Sequence, residues 1–303
     1  FSRITPGKHS TRWHDVDRID DHRLLVADID RDRAFVVNVT TGLTEWSWNA
    51  QSDYDTASGG PFPEDWTHIN DVEHVAIDGR DAAMLSLRNQ DQVVFVEFER
   101  GLVPSWTLGA DGDHDTLYEQ HNPDFIPPER GGPAVLVADS ENSRIVEYQR
   151  VEGSWERSWT WSDRRLQWAR DADRLPNGHT LVTDSNGDRV LEVDTEGGVV
   201  WTASIGFPYE AERLGTGDES AGGHSAASLG LESRSAPDAD VAGLALPPTV
   251  ANAVSYVFPR WVGAIEGVAL AILLVTTPAW LFVEYRRSGV DIGVRSPFTI
   301  ERK

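Results

Sequence analysis

The chain has 303 residues, of which 40% are hydrophobic and 9% aromatic, and it carries a formal charge of −22. This composition excludes a wholly disordered protein. The absence of cysteine excludes disulfides, thiol nucleophiles and thiolate-bound metals, and the negative charge argues against binding to nucleic acid. Lys8 and Lys303 are the only lysines among many acidic residues, a balance typical of proteins from salt-loving organisms.

A repeated pattern runs through the first two thirds of the chain. Its units begin near Trp13, Trp66, Gln120 and Trp168, and each holds three or four short alternating runs separated by Asp, Asn and Gly. Such runs predict antiparallel β-meanders, and units of 40–50 residues have the size of propeller blades. We therefore predict an all-β fold, a β-propeller, over residues 1–214, with four blades and the start of a fifth at Tyr209.

Propellers usually have four to eight blades, and we expect the complete ring to have six. The chain begins with Phe1 rather than Met and shows no apolar signal run. We therefore expect that the propeller domain is incomplete at its N-terminus and that residues preceding Phe1 supply the first blades.

The region after the repeats differs in composition. Residues 215–243 are rich in Gly, Ser, Ala and Asp and predict a flexible linker, and residues 244–260 resemble an interfacial segment. Residues 261–285 are long and apolar enough for a transmembrane helix, although a buried soluble helix is the alternative. Arg286 and Arg287 follow at once, which predicts a cytoplasmic tail over 286–303 and an extracellular propeller at the cell membrane.

The repeat units carry polar residues where a core position would carry Val, Ile or Leu. His14, His68, His121 and Arg170 fall at corresponding places in four units, and Asn70 and Asn122 lie close behind two of them. The innermost strands of a propeller surround a central channel, so one residue from each blade can reach a common point. We interpret this set as an anion site in the channel; a polar plug or a turn signature is the alternative.

The second unit departs from the others at one position. Aspartates 28, 139 and 184 end the second strand of their units, and Arg88 is aligned with them in the unit of His68. Because Arg presents a rigid fork of donors that fits sulfate, phosphate or carboxylate, the ligand is expected to be an anion.

These residues resemble the arylsulfotransferases of the aryl-sulfate sulfotransferase family. The resemblance covers about residues 10–215 and is carried by His68-x-Asn70 with Arg88 some twenty residues on, flanked by histidines in the neighbouring units. The strings WTHIND, QHNPD and RDADRLPNG are similar to the membrane-anchored branch from salt-loving archaea.

The resemblance implies a six-bladed propeller that moves a sulfuryl group from a phenolic sulfate ester to a phenol through a sulfo-histidine, without a nucleotide donor. It implies that His121 is the nucleophile and that His68, Arg88, Asn70 and His14 hold the sulfuryl oxygens and the leaving phenolate. Arg170, where the pattern would have another histidine, and Asn122 are expected to bind substrate. The partners would then be a small aryl sulfate, a phenol and the membrane.

Two alternatives stay open at this stage. One is a non-catalytic propeller that binds an anionic glycan or a protein partner at the cell surface, and the other is a quinone- or metal-dependent oxidoreductase on the same scaffold. We expect no cofactor and no metal. The loops at residues 28–32 and 184–188 mimic calcium loops but lack the Gly and distal Glu of an EF-hand, so we interpret them as inter-strand turns.

Overall fold

The computed structural model describes residues 12–163, 165–217, 219–235, 240–241, 244–245 and 264–288. Residues 12–204 form four antiparallel sheets, each built from consecutive strands, and the predicted all-β propeller architecture is confirmed. Blade 1 contains β1 (Trp13–Arg18), β2 (Arg23–Asp28), β3 (Arg33–Asn38) and β4 (Thr44–Asn49). Blade 2 contains β5 (Ile69–Ile77), β6 (Arg80–Leu87), β7 (Gln92–Glu97), β8 (Gly101–Leu102) and β9 (Leu108–Gly109).

Blades 3 and 4 repeat the four-stranded pattern. Blade 3 contains β10 (His121–Ile126), β11 (Ala134–Asp139), β12 (Arg144–Val151) and β13 (Ser154–Trp161), and blade 4 contains β14 (Ala169–Arg174), β15 (Thr180–Asp184), β16 (Arg189–Val193) and β17 (Val199–Ser204). The second strand of each blade is buried along most of its length, and in blades 2 and 3 a neighbouring blade packs on each face.

Hairpin turns between the second and third strands share one construction. In three blades the last residue of the second strand is an aspartate that accepts a hydrogen bond from the arginine opening the third strand, as in the Asp28–Arg33 pair at 2.8 Å. The residue before the third strand is left-handed in all four blades, with φ of 49–55° at Asp32, Asp91, Ser143 and Asp188. The calcium-like segments at 28–32 and 184–188 are therefore part of hairpin turns.

The cores lie between consecutive blades. Buried side chains of blades 1 and 2, of blades 2 and 3, and of blades 3 and 4 form three separate hydrophobic clusters. The last strands of blades 1 and 3 contain the sequences Trp46-Ser-Trp48 and Trp159-Thr-Trp161, and Trp48 and Trp161 are buried in the first and third clusters. The aromatic strand ends therefore serve packing between blades.

Carboxylates also join the innermost strands of neighbouring blades. Asp15 and Asp17 of blade 1 accept hydrogen bonds from the backbone N–H groups of Val72 and His74 in blade 2. Glu73 of blade 2 accepts a bond from the N–H of Phe125 in blade 3 at 2.7 Å. These contacts satisfy edge N–H groups that have no neighbouring strand.

One expectation for the region after blade 4 is corrected: residues 219–235 pack against the propeller rather than forming part of a flexible linker. Residues 209–214 form no strand, but the N–H of Ala211 donates to Asp171 as that of Val72 donates to Asp15, and the start of a fifth unit at Tyr209 stays a prediction. Helix α1 (Ala226–Leu229) is capped by Ser225 and its Ala226 N–H donates to Glu147. Small residues serve close packing here: a Cβ on Gly223 would lie 2.1 Å from the carbonyl oxygen of Arg174.

Helix α2 spans Ala264–Ser288 and has Arg286 and Arg287 in its last turn. In the described part of the chain, no helix combines the length and the apolar character that a membrane crossing needs. Residues 246–263 and 289–303 lie outside the described residues, as do the side chains at 264–268 and 271. Most of the predicted interfacial segment, the start of the predicted span and most of the predicted tail fall there.

Candidate functional site in the propeller channel

A β-bulge in the innermost strand of each blade determines which residue enters the site. The strand pairing identifies one equivalent acidic residue in each blade: Asp17, Glu73, Asp124 and Asp173. The residue three positions before each of them is, in the same order, His14, Asn70, His121 and Arg170. In blades 1, 2 and 4 this residue is the one that the ladder skips. Bulges commonly re-aim side chains beside functional sites.

This register corrects the alignment of the histidines. His68 lies two positions before the equivalent place, which Asn70 occupies, and it corresponds to Glu119 and Trp168 instead. All three residues have positive φ, between 44° and 55°. The left-handed conformation turns the chain just before the strand, so His68 reaches the site from the turn.

The alignment of Arg88 is corrected in the same way. Leu87 pairs with Gln92 as Asp139 pairs with Arg144, so Leu87 is the residue that replaces aspartate in blade 2. Arg88 comes one position later, at the place that Ser140 occupies in blade 3. Arg88 is thus the first residue after the strand, where its long side chain extends over the channel end of the blade.

The structure brings the predicted histidines and arginines together. The rings of His14 and His68 are 5.7 Å apart between centroids, and Arg88 Nη1 lies 3.1 Å from His68 Nδ1. Tyr209 joins the two sides of the cluster, because its ring is 5.6 Å from that of His14 and 6.2 Å from that of His121. Arg170 lies over the same tyrosine ring, 4.6 Å from its centroid.

Two acidic residues hold the blade 2 side of the site. Asp65 lies 2.7 Å from His68 Nδ1, and Glu119 forms an ion pair with Arg88. Because a carboxylate can only accept, His68 Nδ1 carries a hydrogen and its lone pair is on Nε2. Glu119 therefore fixes the Arg88 guanidinium against the His68 ring and partly neutralises its charge.

The hydrogen bonds of His121 define its tautomer. Its Nδ1 lies 2.8 Å from Ser140 Oγ and 3.1 Å from the carbonyl oxygen of Glu119. The carbonyl can only accept, and Ser140 Oγ donates its own hydrogen to the carbonyl of Ala169 at 2.7 Å. Nδ1 is consequently the N–H donor, and the lone pair of the imidazole is on Nε2.

Burial keeps these imidazoles neutral at pH 7. Burial, helped by the nearby charge of Arg170, holds the pKa of His121 well below its ordinary value. Burial, followed by the neighbouring His68, lowers the pKa of His14 to about 4. Burial also lowers the pKa of His68, although Asp65 opposes the shift. The positive charge of the site therefore comes from its arginines.

Arg170 is stacked within an aromatic frame. Its guanidinium carbon lies 4.4 Å from the Trp168 ring, 5.0 Å from that of Phe207 and 4.6 Å from that of Tyr209. Stacking of this kind holds an arginine rigid without neutralising its charge. Arg170 is thus a positioned cation beside His121.

The two predicted asparagines are more deeply buried than the arginines. Asn70 donates from Nδ2 to the carbonyl of Gln120 at 2.9 Å, and Asn122 has a strained φ of 36°. The Oδ1 atoms of both are buried and have no hydrogen-bond partner within the described structure. Asn70 therefore connects blades 2 and 3 beneath the histidines.

Sequence reasoning missed several residues of the site. Tyr209 was predicted as the start of a fifth unit but not as a residue of the site, and Ser140, Asp65 and Glu119 act through contacts that only the fold brings together. The one available signal was the register of the hairpins, which places Ser140 and Arg88 at the same position.

The fold and site together define an all-β, propeller-like protein in which arginines and imidazoles cluster at the innermost strands, an arrangement suited to an anion. The family model of the arylsulfotransferases, described as Arylsulfotransferase (ASST), matches residues 5–206. The chain therefore belongs to the arylsulfotransferase family. The membrane-anchored branch from salt-loving archaea remains a prediction.

Solved structures resemble the chain at low identity. Virginiamycin B lyase from Staphylococcus aureus is 8% identical, with a TM-score of 0.44, over 66% of this chain and 57% of that protein. The periplasmic gluconolactonase of Pseudomonas aeruginosa is 18% identical, with a TM-score of 0.40, over 65% and 55%. The WD40 β-propeller domain of Doa1 is 11% identical, with a TM-score of 0.43, over 64% and 55%. The chain thus spans little more than half of these proteins, and no curated protein matches it.

Proposed function

We propose that the protein transfers a sulfuryl group from a phenolic sulfate ester to a phenol, with His121 as the covalent carrier. The observation that supports this most directly is the hydrogen bonding of His121 Nδ1 to Ser140 and to the Glu119 carbonyl. A neutral imidazole whose Nδ1–H is held in this way offers the Nε2 lone pair as a nucleophile.

In the first half-reaction, Nε2 attacks the sulfur, the N–S bond forms and the S–O bond to the aryl group breaks. The phenolate leaves with the bonding electrons and takes a proton from solvent. In the second half-reaction, the oxygen of an acceptor phenol attacks the same sulfur, the N–S bond breaks and the phenol proton returns to solvent. The neutral imidazole is regenerated, and one aryl sulfate has been exchanged for another.

The cations of the site suit this reaction. Sulfuryl transfer, like phosphoryl transfer, depends on positioning the group and stabilising the charge on its oxygens. We assign that role to Arg170, stacked beside His121, and to Arg88, held over His68. We assign contact with the leaving phenolate to His14 and Tyr209, because burial raises the pKa of Tyr209 and keeps its hydroxyl protonated as a donor. Loss of one such donor typically costs about 10²–10³-fold in rate.

The test uses 4-nitrophenyl sulfate as donor and phenol as acceptor. Wild type is expected to release 4-nitrophenol and, without acceptor, to gain the mass of one sulfuryl group. His121→Ala is expected to lose both signals, and His22→Ala, at an exposed histidine of blade 1, should keep both. Equal turnover by wild type and His121→Ala would reject the proposal, and reversible binding of the ester without a mass gain would favour the anion-binding alternative.

We further propose that the propeller lies outside the cell and is attached to the membrane through residues 261–285. The apolar run and the Arg286–Arg287 pair support this orientation. The test compares the full chain with a variant ending at residue 260 in membrane fractions washed at alkaline pH. Recovery of the full chain in the soluble fraction would reject the attachment.

A further inference from the structure

A second polar cluster lies farther along the innermost strands that carry the anion site. Asp124 on β10 and Asp171 and Asp173 on β14 are all buried, and one oxygen of each carboxylate lies within 4.8 Å of the others. These residues stand one to three positions after His121 and Arg170 on the same two strands. The mechanism proposed above does not use this cluster.

Asp173 stands out within this cluster. Asp173 is only 1% exposed, and neither of its carboxylate oxygens has a hydrogen-bond partner among the described residues. The corresponding residues of blades 1 and 2, Asp17 and Glu73, each accept a bond from a backbone N–H of the next blade. Leaving both oxygens of a buried carboxylate without a hydrogen bond costs folding free energy, so we expect a ligand to bind there.

The other two carboxylates are only partly satisfied by protein donors. Asp124 accepts a hydrogen bond from the Ser220 hydroxyl, and Asp171 accepts bonds from the N–H of Ala211 at 3.1 Å and from Thr183 Oγ1 at 3.3 Å. Each carboxylate can accept about four bonds. Oxygen lone pairs therefore remain on all three aspartates.

The surroundings add negative charge and little positive charge. After burial, the negative charges of Glu73, Glu210 and Glu212 also raise pKa values within the cluster. Arg174, which interacts with Asp124, is already paired with Glu147 at 2.9 Å. The residues described around the cluster thus leave an excess of carboxylate charge.

We propose that Asp124, Asp171 and Asp173 bind a divalent hard cation, with Ca²⁺ as the best-fitting ion. Oxygen-only ligands select Ca²⁺ or Mg²⁺ over zinc, which prefers histidine and cysteine. Calcium–oxygen distances of about 2.4 Å place opposite ligands about 4.8 Å apart. The cation joins blade 3 to blade 4, in the role that N–H donors fill between the earlier blades.

The test is carried out on the full chain after EDTA treatment and removal of the chelator. Isothermal titration with CaCl₂ is expected to give one bound ion per chain. Thermal unfolding at a hundredfold excess over Kd should occur at least about 5 °C higher than in EDTA. A titration with MgCl₂ distinguishes the two ions, because the more flexible calcium coordination should give the tighter binding.

The variant Asp173→Asn is expected to give two opposite effects. In EDTA it should unfold at a higher temperature than wild type, because it removes one charge from a crowded buried cluster. In CaCl₂ it should show at least a tenfold weaker affinity and lose the stabilisation.

Asp28→Asn, at a buried carboxylate paired with Arg33 outside the cluster, is the control that should keep calcium binding. Should Asp173→Asn fail to fold, the wild-type titration alone decides the question. Absence of bound Ca²⁺ and Mg²⁺ at millimolar concentration, with equal unfolding temperatures in EDTA and CaCl₂, would overturn the proposal.

Discussion

The change Ser140→Ala tests whether the hydrogen bond to Nδ1 prepares His121 for catalysis. Ser140 is fully buried, its Oγ lies 2.8 Å from His121 Nδ1, and it donates to the Ala169 carbonyl at 2.7 Å. The substitution removes both bonds and leaves His121 Nδ1 with the Glu119 carbonyl alone. The variant therefore alters the support of the nucleophile without touching the nucleophile.

The two losses can be estimated separately. A buried hydrogen bond contributes about 1 kcal/mol net, and an unsatisfied buried partner costs about 1–3 kcal/mol. We expect Ser140→Ala to lower the free energy of unfolding by about 2–3 kcal/mol. Loss of about 1 kcal/mol of orientation energy at Nδ1 should lower kcat by about fivefold, with KM nearly unchanged.

The assay is single-turnover release of 4-nitrophenol with enzyme in excess, well below the unfolding temperature. Ser185→Ala is the matched control, because Ser185 occupies the equivalent position in blade 4, is equally buried, and donates to the Pro208 carbonyl at 2.6 Å. The control should lose similar stability and less rate. A normal rate in Ser140→Ala, or an equal rate loss in both variants, would refute a positioning role for Ser140.

Three further predictions concern stability. Glu147→Ala removes the partner of Arg174 where both side chains are fully buried, and we expect a loss of about 3–5 kcal/mol in urea unfolding; a loss below 1 kcal/mol would contradict the buried pair. Gly223→Ala places a Cβ 2.1 Å from the Arg174 carbonyl and should cost about 1–3 kcal/mol, whereas a neutral change would show that residues 219–235 do not pack there. In EDTA, stability should rise as pH falls from 8 through 7, because burial raises the pKa of Asp171 to about 7 and the folded state then binds the proton more tightly. Below pH 6.5 the lowered pKa of His14, about 4, should oppose this gain, since protonation then favours the unfolded chain. Asp171→Asn should reduce the rise without abolishing it, because the pKa values of Asp124 and Asp173 are also raised by burial; a pH-independent urea midpoint would contradict these assignments.

The blades could be predicted because their determinants are local. Alternating apolar runs specify the strands, and an aspartate with an arginine five positions later, as in Asp139 and Arg144, closes the hairpin through one ion pair. A repeat makes this signal additive over four units. The Gly-, Ser- and Ala-rich region was misread because small residues permit close backbone packing as well as flexibility, and Gly223 serves the first.

The sequence predicted which residues belong to the site better than it predicted their positions in the strands. Aligning the repeats on histidine gave spacings of 54, 53 and 49 residues. The strand pairing instead places Asn70, not His68, at the position equivalent to His14 and His121. A bulge of one residue does not appear in a hydrophobic pattern, since the flanking strand residues keep their own alternation. Tyr209 was predicted to start a fifth unit, but because it is neither histidine nor arginine it was not assigned to the anion site.

The bulge also explains how one strand carries two layers of opposite charge. The skipped residue at the strand entrance contributes His14 or Arg170 to the anion site, and the regular strand that follows presents a carboxylate three positions later, at Asp17 or Asp173. A strand rises about 3.3 Å per residue, so the carboxylate three positions on lies farther along the strand than the histidine or arginine of the anion site. In blades 1 and 2 this carboxylate accepts a hydrogen bond from an N–H group of the next blade. In blade 4 the oxygens of Asp173 have no such donor among the described residues, and the proposed cation would bind them. The residues that join the blades and the residues of the anion site therefore stand at nearby positions of the same repeat, so each repeat unit supplies both.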